Sequence, residues 1–306
     1  MSRFGTLWKG SQLSAFEASC LHSFVAAGHE VTLFSYEPVA GVPAGVQRAD
    51  AAPIVDAAWL NAFVLNGVPS IAHFSDLFRY RMFERTELTW VDADLLLLRS
   101  WDQDPNQTLL ALETPHILNG AVMRVASHER WLPTLIEEAE ALRGRSIRWG
   151  ETGPRLVTRV AGTHAVGAQA VPPPIYYPIQ CGDFWKPFLP EHASECRALC
   201  AQARTLHLWN NLIEQMGYWK EYLPPAGSWL HELFRERDCA QYFRGDFPLR
   251  NMRALVRNWI ARQTGDQLGI GGVLRQVVPS VRRTIRHRTG RTFAHTKFPD
   301  GSLKNT

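Results

Sequence analysis

The chain has 306 residues, 45% hydrophobic and 20% charged, which is ordinary for a soluble globular protein and enough for one large domain or two small ones. It shows no basic-then-apolar leader pattern and no apolar run long enough to span a bilayer. Its five cysteines, Cys20, Cys181, Cys196, Cys200 and Cys239, are odd in number and contain no C-x-x-C pair, which argues against a disulfide scaffold and fits a reducing compartment. Charge is unevenly spread. Residues 250–306 hold 12 Lys/Arg against 2 Asp, so an acidic body of residues 1–249 carries a basic tail.

In chain order, Phe4-Gly5-Thr6-Leu7-Trp8 reads as a first strand. Ser14 to Glu17 forms a capping box ahead of an apolar stripe (Leu13, Phe16, Cys20, Leu21, Phe24) that stops at Gly28. Val31 to Phe34 is a second strand, so the opening β-α-β unit predicts parallel strands and a Rossmann-like α/β fold. No G-x-G-x-x-G follows the first strand, which argues against a dinucleotide-binding dehydrogenase.

The most informative stretch runs from Phe74 to Arg99. Ser75 is predicted to cap a short helix with Asp76 in its first turn and Leu77, Phe78, Met82 and Phe83 as apolar contacts, ending near Glu84. Leu88 to Val91 is β-rich and delivers Asp92-Ala93-Asp94 to the exit of a buried strand, ahead of Leu95 to Leu98. Two carboxylates there are hard oxygen ligands for Mn²⁺ or Mg²⁺, with positions left over for phosphate. A second copy, Asp102-Gln103-Asp104, lies in a polar turn before Pro105, where Asx-turn or capping roles fit better. Asp76 and Arg79 share one helical face, and in isolation such a pair is a weak surface ion pair.

Further on, Asn119-Gly120 between apolar residues is a hairpin-turn signal. Trp131 to Leu142 is predicted as an amphipathic helix with a solvated acidic face. Thr152 and Pro154 read as the cap and first turn of another helix, and Pro172 to Ile179 as a stiff extended segment used for packing. His192, Cys196 and Cys200 fall at i, i+4 and i+8, yet buried thiols on an apolar helix face are common and no fourth zinc ligand is apparent. Leu206 to Asn210 alternates as a short strand, with His207 and Trp209 on the side opposite Leu206 and Leu208.

From about Arg250 the character changes. Met252 to Ile260 is helix-like, Gly269 to Gly272 is a flexible joint, and Val273 to Arg288 mixes apolar residues with Arg282, Arg283, Arg286 and Arg288 around Pro279. Membrane or polysaccharide contact ranks first for this segment, disorder second and nucleic acid last, because no nucleic-acid-binding motif accompanies it.

Ser75-Asp76-x-x-Arg79-Tyr80, a short helix, and a strand ending in Asp92-x-Asp94 together resemble the sugar-binding region of a glycosyltransferase family. Its members include α-1,4-galactosyltransferases, α-1,4-N-acetylglucosaminyltransferases and Och1-type α-1,6-mannosyltransferases, and more distantly the core of the clostridial glucosylating toxins. Leu7-Trp8, Gly28-His29, Phe34-Ser35-Tyr36, Gly153-Pro154 and His207-x-Trp209 are also family-like, so the resemblance covers roughly residues 4–235. Glu87-Leu88 departs from the family's Gly-Gly before the strand. The resemblance implies a GT-A type nucleotide-diphospho-sugar transferase fold, a Rossmann-like mixed sheet flanked by helices, spanning residues 1–249 with a basic tail at 250–306.

For the site, the resemblance implies Asp76 and Arg79 on the donor sugar, with Asn119 beside it. Asp92 would hold ribose and metal, Asp94 and His207 the metal, Trp209 the diphosphate, and Trp8 and Tyr36 would flank the base. The implied activity is retaining transfer of a hexose from a nucleoside diphosphate sugar, UDP-linked first of all, to a glycan or lipid-linked glycan, giving an α-linkage with Mn²⁺ or Mg²⁺ as cofactor. A bacterial cytoplasmic enzyme, peripheral at the inner face of the membrane and acting on capsule or lipopolysaccharide, is the expected setting. A toxin-like protein glycosyltransferase and a non-catalytic membrane or nucleic-acid binder are the alternatives. The two close carboxylates serve better as metal ligands than as a hydrolase acid/nucleophile pair. Glu151 is the one carboxylate to test as a base.

Overall fold

The computed structural model describes residues 1–264. The chain opens with β1 (Arg3–Leu7), α1 (Ala15–Ala26), β2 (Glu30–Ser35) and β3 (Val46–Asp50). Short strands β4 (Val64–Leu65) and β5 (Val68–Pro69) lead into α2 (Ile71–Arg85), β6 (Thr89–Val91) and β7 (Leu95–Leu97). A hairpin of β8 (Leu109–Thr114) and β9 (Ile117–Arg124) precedes α3 (Leu132–Glu140), β10 (Ser146–Ile147), α4 (Pro154–Thr163) and the one-turn α5 (Pro173–Tyr176). Then come α6 (Ala193–Leu199), β11 (Thr205–His207), α7 (Asn210–Met216), α8 (Trp229–Glu236) and α9 (Leu249–Thr264).

The central sheet is mixed, in the order β3-β2-β1-β6-β9-β8. β3, β2, β1 and β6 run parallel, and β9 runs antiparallel to both β6 and β8. α1 makes the crossover from β1 to β2 and α2 leads the chain back into β6, while the parallel β2 and β3 are joined by a loop. Strand pleating splits each strand between two cores. Phe4, Val31, Leu33 and Val91 pack with Leu21 and Phe24 of α1 on one face, while Phe34 and Trp90 pack with Phe74, Leu77 and Phe78 of α2 on the other. A third core gathers Phe16 and Cys20 of α1 with α6, α8 and α9. The fold is α/β, a mixed sheet flanked by helices.

Four local expectations are corrected. The central helix starts at Ile71 behind Ser70, so Ser75 lies inside it. The preceding β5 ends at Pro69, and the Ser70 hydroxyl engages the His73 ring nitrogen at 2.7 Å instead of a backbone amide. Asn119-Gly120 lies within β9, and the two-residue turn is Pro115-His116. Pro172 to Tyr177 is not extended: prolines at the first positions of a helix lose no hydrogen bond, and α5 begins on Pro173. Gly153, and not Thr152, occupies the cap position of α4.

Other elements follow the sequence closely, except that the predicted 206–210 strand ends at His207, where Trp209 turns into a left-handed conformation and Asn210 opens α7. The Ser14–Glu17 capping box is formed. Trp131 to Leu142 contracts to α3, whose Leu132, Leu135, Ile136 and Ala139 are buried while Glu138 and Glu140 pair with Arg159 and Arg81. The predicted 252–260 helix extends to Leu249–Thr264, with Met252, Val256 and Trp259 buried in the third core. The Gly269–Gly272 joint and the Val273–Arg288 segment lie outside the described residues. No helix among the described residues is long and apolar enough to cross a membrane.

Candidate active site

β1, β2 and β6 are parallel, so their C-terminal ends deliver side chains to one edge of the sheet, the place where open α/β sheets bind ligands. β6 ends at Val91 and the chain turns sharply there, with the Leu95 amide bonded to the Asp92 carbonyl at 3.0 Å. The Asp92 amide donates to Ala121 of β9 at 2.8 Å. Asp92 and Asp94 therefore leave the sheet on a backbone fixed from both sides.

α2 runs behind this edge and presents His73, Asp76 and Arg79 on one face, three residues apart. The Arg79 side chain is 5% exposed and is shared between Asp76 Oδ1 at 3.1 Å and Asp92 Oδ1 at 2.9 Å. Trp90 completes the clamp: its indole N–H donates to the same Asp92 oxygen at 2.5 Å, and its ring lies 4.8 Å beneath the guanidinium. Thr152 Oγ1 donates to Asp76 Oδ2 at 2.8 Å. Burial opposes the charge on Asp76 and pushes its carboxyl up, against the pull of Arg79 and Thr152. Burial opposes charge on Arg79 as well, but Asp92 and Asp76 more than compensate and hold it firmly cationic.

Two glycines make this packing possible. A Cβ on Gly120 would lie 1.9 Å from Arg79 Nη1, and one on Gly153 would lie 2.6 Å from Asp76 Oδ2. The Asn-Gly of β9 is thus a strand position that lets a guanidinium reach across the sheet edge, and the missing β-carbon at Gly120 serves close approach, with no positive φ involved.

The second half of the site comes from the other end of the chain. β11 pairs antiparallel with β7, setting His207 opposite Leu95. His207 Nε2 then lies 3.4 Å from Asp94 Oδ1, and the Asn210 amide donates to Asp94 Oδ2 at 2.8 Å. Burial alone would raise the Asp94 carboxyl, but His207 and the Asn210 amide outweigh it and hold it low. Burial alone would lower the imidazole, but Asp94 outweighs it and raises His207. Trp209, in a left-handed backbone conformation with φ 56°, brings its ring 4.1 Å from that of His207. Its indole N–H is bonded to the Ile179 carbonyl.

Asp92, Asp94 and His207 each offer one ligand atom within 4.8 Å of the others, the one such group of three found among the described residues. The donor set suits Mn²⁺ or Mg²⁺. Two carboxylates and an imidazole are present, the Asp92 hydrogen bonds both fall on Oδ1 and leave Oδ2 for an ion, and His207 Nδ1 is buried with no hydrogen-bond partner. Charge also fits. Three carboxylates against one guanidinium leave two negative charges, which a divalent cation balances.

The remaining expected residues lie around this centre. Asn119 sits two positions before the Ala121 carbonyl that holds Asp92; its side chain donates to Glu113 at 2.7 Å and accepts from the Ala121 amide at 2.8 Å. Trp8 and Tyr36 follow the ends of β1 and β2, where Trp8 donates to the Gln12 carbonyl and Tyr36 to the Val55 carbonyl. Their polar contacts are local and do not reach the carboxylates. The Glu151 carboxylate accepts from its own loop's Arg148 amide at 2.7 Å. His192 faces Glu195, while Cys196 and Cys200 are buried in the third core. In the second Asp-x-Asp, Asp104 accepts from the Asn106 amide two residues on, which is an Asx turn.

Sequence reasoning missed several supports. Trp90 and Thr152 hold the two carboxylates of the Arg79 clamp. Tyr177 donates its hydroxyl to the Asn119 carbonyl at 3.3 Å. Glu17, fully buried, pairs with Lys220 at 2.6 Å and takes the Asn210 side chain at 2.7 Å, which fixes the residue whose amide holds Asp94. Strand alternation could have pointed Trp90 and Asp92 to one face; nothing local announces a pair 203 residues apart.

No family model matches this chain. Lactosylceramide 4-alpha-galactosyltransferase from Rattus norvegicus is 26% identical over 147 residues, which is 44% of this chain and 40% of that protein. The Mus musculus protein of the same name matches at the same identity and coverage. The chain therefore spans well under half the length of the curated relatives it matches. Among solved structures, it is similar to the PaToxG glycosyltransferase with a TM-score of 0.41 at 12% identity, covering 54% of this chain and 70% of that one. All three of these proteins carry glycosyltransferase names.

Proposed function

We propose that this chain is a retaining, metal-dependent glycosyltransferase of GT-A type that moves a hexose from a nucleoside diphosphate sugar to a hydroxyl of a glycan acceptor. One observation carries the reading: an Asp92, Asp94, His207 ligand group is joined through a single carboxylate oxygen to a buried Arg79–Asp76 pair. A metal-and-phosphate site thereby adjoins a hydroxyl-binding site, as a sugar diphosphate requires. The names of the curated relatives support an α-linkage and make UDP-galactose the first donor to try.

The roles are those the family resemblance implies, and the Asp92, Asp94, His207 group supports the metal-binding ones. Asp94 and His207 hold Mn²⁺ or Mg²⁺, and Asp92 holds the ion and the ribose. Bound there, the ion supplies neutralisation of the charge that develops on the departing diphosphate. Arg79 and Trp90 keep Asp92 from rotating away, so its free oxygen is pre-set for the ligand. Asp76 and Arg79 bind sugar hydroxyls with Asn119 alongside, Trp209 meets the diphosphate, and Trp8 and Tyr36 flank the base. No side chain is assigned as a general base.

The acceptor is a capsule, lipopolysaccharide or related surface polysaccharide, and the basic segment 250–306 is a peripheral contact with the inner face of the membrane in a cytoplasmic enzyme. α9 begins this segment and exposes Arg250 and Arg257. Co-sedimentation with anionic vesicles, lost on raising the salt, tests that part.

The catalytic reading is tested by Mn²⁺-dependent nucleotide release from a panel of nucleotide sugars, comparing the intact protein with Asp94→Ala. One donor turned over by the wild type and not by the variant is the expected result. Failure of every nucleotide and of Mn²⁺ to bind by thermal shift sinks the proposal.

A further inference from the structure

The loop between β10 and α4 carries Trp149, whose indole is 56% exposed, the one large aromatic so exposed among the described residues. α2 fixes this loop at three successive points. His73 Nε2 contacts the Arg148 carbonyl at 3.0 Å, Asp76 accepts from Thr152 at 2.8 Å, and the Tyr80 hydroxyl donates to the Thr152 carbonyl at 2.7 Å. Glu151 closes the loop on the Arg148 amide, and the Trp149 ring stands edge-on to that of His73, 5.7 Å between centroids. An exposed aromatic on a loop held this firmly has less conformational freedom to lose on binding, and the His73 ring it stands against is one helical turn from Asp76.

Its neighbours are basic. Arg148 and Arg155 are exposed, and among the described residues neither is in an ion pair, whereas Arg159 a turn away is neutralised by Glu138. The Arg155 side chain passes within 3.8 Å of where a Cβ on Gly150 would stand, so it lies against the residue that follows Trp149. An apolar plate with two arginines beside it that form no ion pair among the described residues suits a ligand with a hydrophobic C–H face and negative charge at its edge. Carboxylated pyranoses have both.

We infer that Trp149, Arg148 and Arg155 form an acceptor subsite for an anionic glycan, with the indole stacked on a pyranose ring and the arginines on its carboxylates. This rests on the transferase reading above and names the charge class of its acceptor.

The test is calorimetric titration of the intact protein, loaded with UDP and Mn²⁺, with tetragalacturonate and with neutral maltotetraose. Tetragalacturonate should bind more tightly, and its affinity should fall as salt is raised from low to physiological strength. Trp149→Ala and the double variant Arg148→Ala, Arg155→Ala should each weaken it by on the order of ten-fold, the size of one aromatic or charge-assisted contact. Circular dichroism and melting temperature of the variants establish that they fold. Equal affinity for the two sugars, or unchanged affinity in folded variants, overturns the inference. If wild-type protein binds UDP with Mn²⁺ but neither sugar, the subsite alone is wrong; if UDP itself fails to bind, the transferase reading has failed and the subsite falls with it.

Discussion

The two halves of the candidate site solve the burial of charge in opposite ways. Around Arg79 every charge has a partner within the protein: two carboxylates share one guanidinium, and an indole and a threonine take up further lone pairs, with the guanidinium Nε the one nitrogen there buried without a hydrogen bond. Around Asp94 the protein leaves a deficit. Asp94 and His207 hold each other at 3.4 Å, longer than a good hydrogen bond, and one imidazole nitrogen is buried without a partner. A buried unsatisfied group costs stability unless something outside the chain completes it. The first half is therefore held mainly by the protein's own charges while it also presents Asp76 and Arg79 to the sugar, the second is built as a receptor for an ion, and substitutions in the two should weight stability and activity differently.

Asp94→Asn gives the largest functional effect. It keeps shape while removing the charge an ion needs, so turnover should fall by on the order of 10²–10³-fold or more. Metal-free stability should fall by about 1–3 kcal/mol, the value of hydrogen bonds to a charged group and less than for the Arg79 pair. Nucleotide release and urea unfolding measured on the same sample check both; a large stability loss would mean Asp94 is structural. Arg79→Met should carry the larger stability loss, alongside the loss of its sugar contact. It strands Asp76 and Asp92 without their cation, so unfolding free energy should drop by about 3–5 kcal/mol, as when one partner of a buried pair is removed. An Arg79→Met protein that melts like the wild type would break the comparison. Gly120→Ala probes the same half more gently. Its methyl collides with the guanidinium, and overpacking of this kind should cost about 1–3 kcal/mol, visible as a lower melting temperature.

These contrasts also show why part of the site was legible in the sequence and part was not. Local pattern carried the strand exit at Asp92 and Asp94, because a β-rich apolar run followed by carboxylates needs only neighbours along the chain. The Asp76–Arg79 face follows from helical spacing in the same way. Ser75 was misread because serine is a good cap in isolation, while the start of α2 is set by where β5 ends. Asn119-Gly120 was misread because glycine's commonest use is a turn, and its use here depends on an arginine 41 positions upstream. Glu17 shows the limit most clearly: the capping box was visible locally, but the same carboxylate also receives Lys220 and Asn210, contacts created only when the sheet and the C-terminal helices close on α1. Tertiary partners of buried charges leave no periodic trace.

The gentlest separation of the two halves uses pH, with no change of sequence. Asp94 is held below the ordinary carboxyl range and His207 above the ordinary imidazole value of 6.5. In the metal-free protein the stabilisation tied to Asp94 is lost as pH falls through its lowered value, and that tied to His207 is lost as pH rises through its raised value, so the pair stabilises only the window between. An ion needs the neutral imidazole and competes with the proton for it. Mn²⁺ affinity should therefore climb by about ten-fold per pH unit up to the His207 value and flatten beyond it, with the bend above pH 6.5. Calorimetric titrations from acid to mildly alkaline pH measure this, and His207→Gln should abolish the bend while leaving weaker binding. Arg79 stays cationic across the same range, so the stability gap between wild type and Arg79→Met should not follow the bend. If Mn²⁺ affinity is flat through that range, His207 is not a ligand and the receptor half reduces to its two carboxylates.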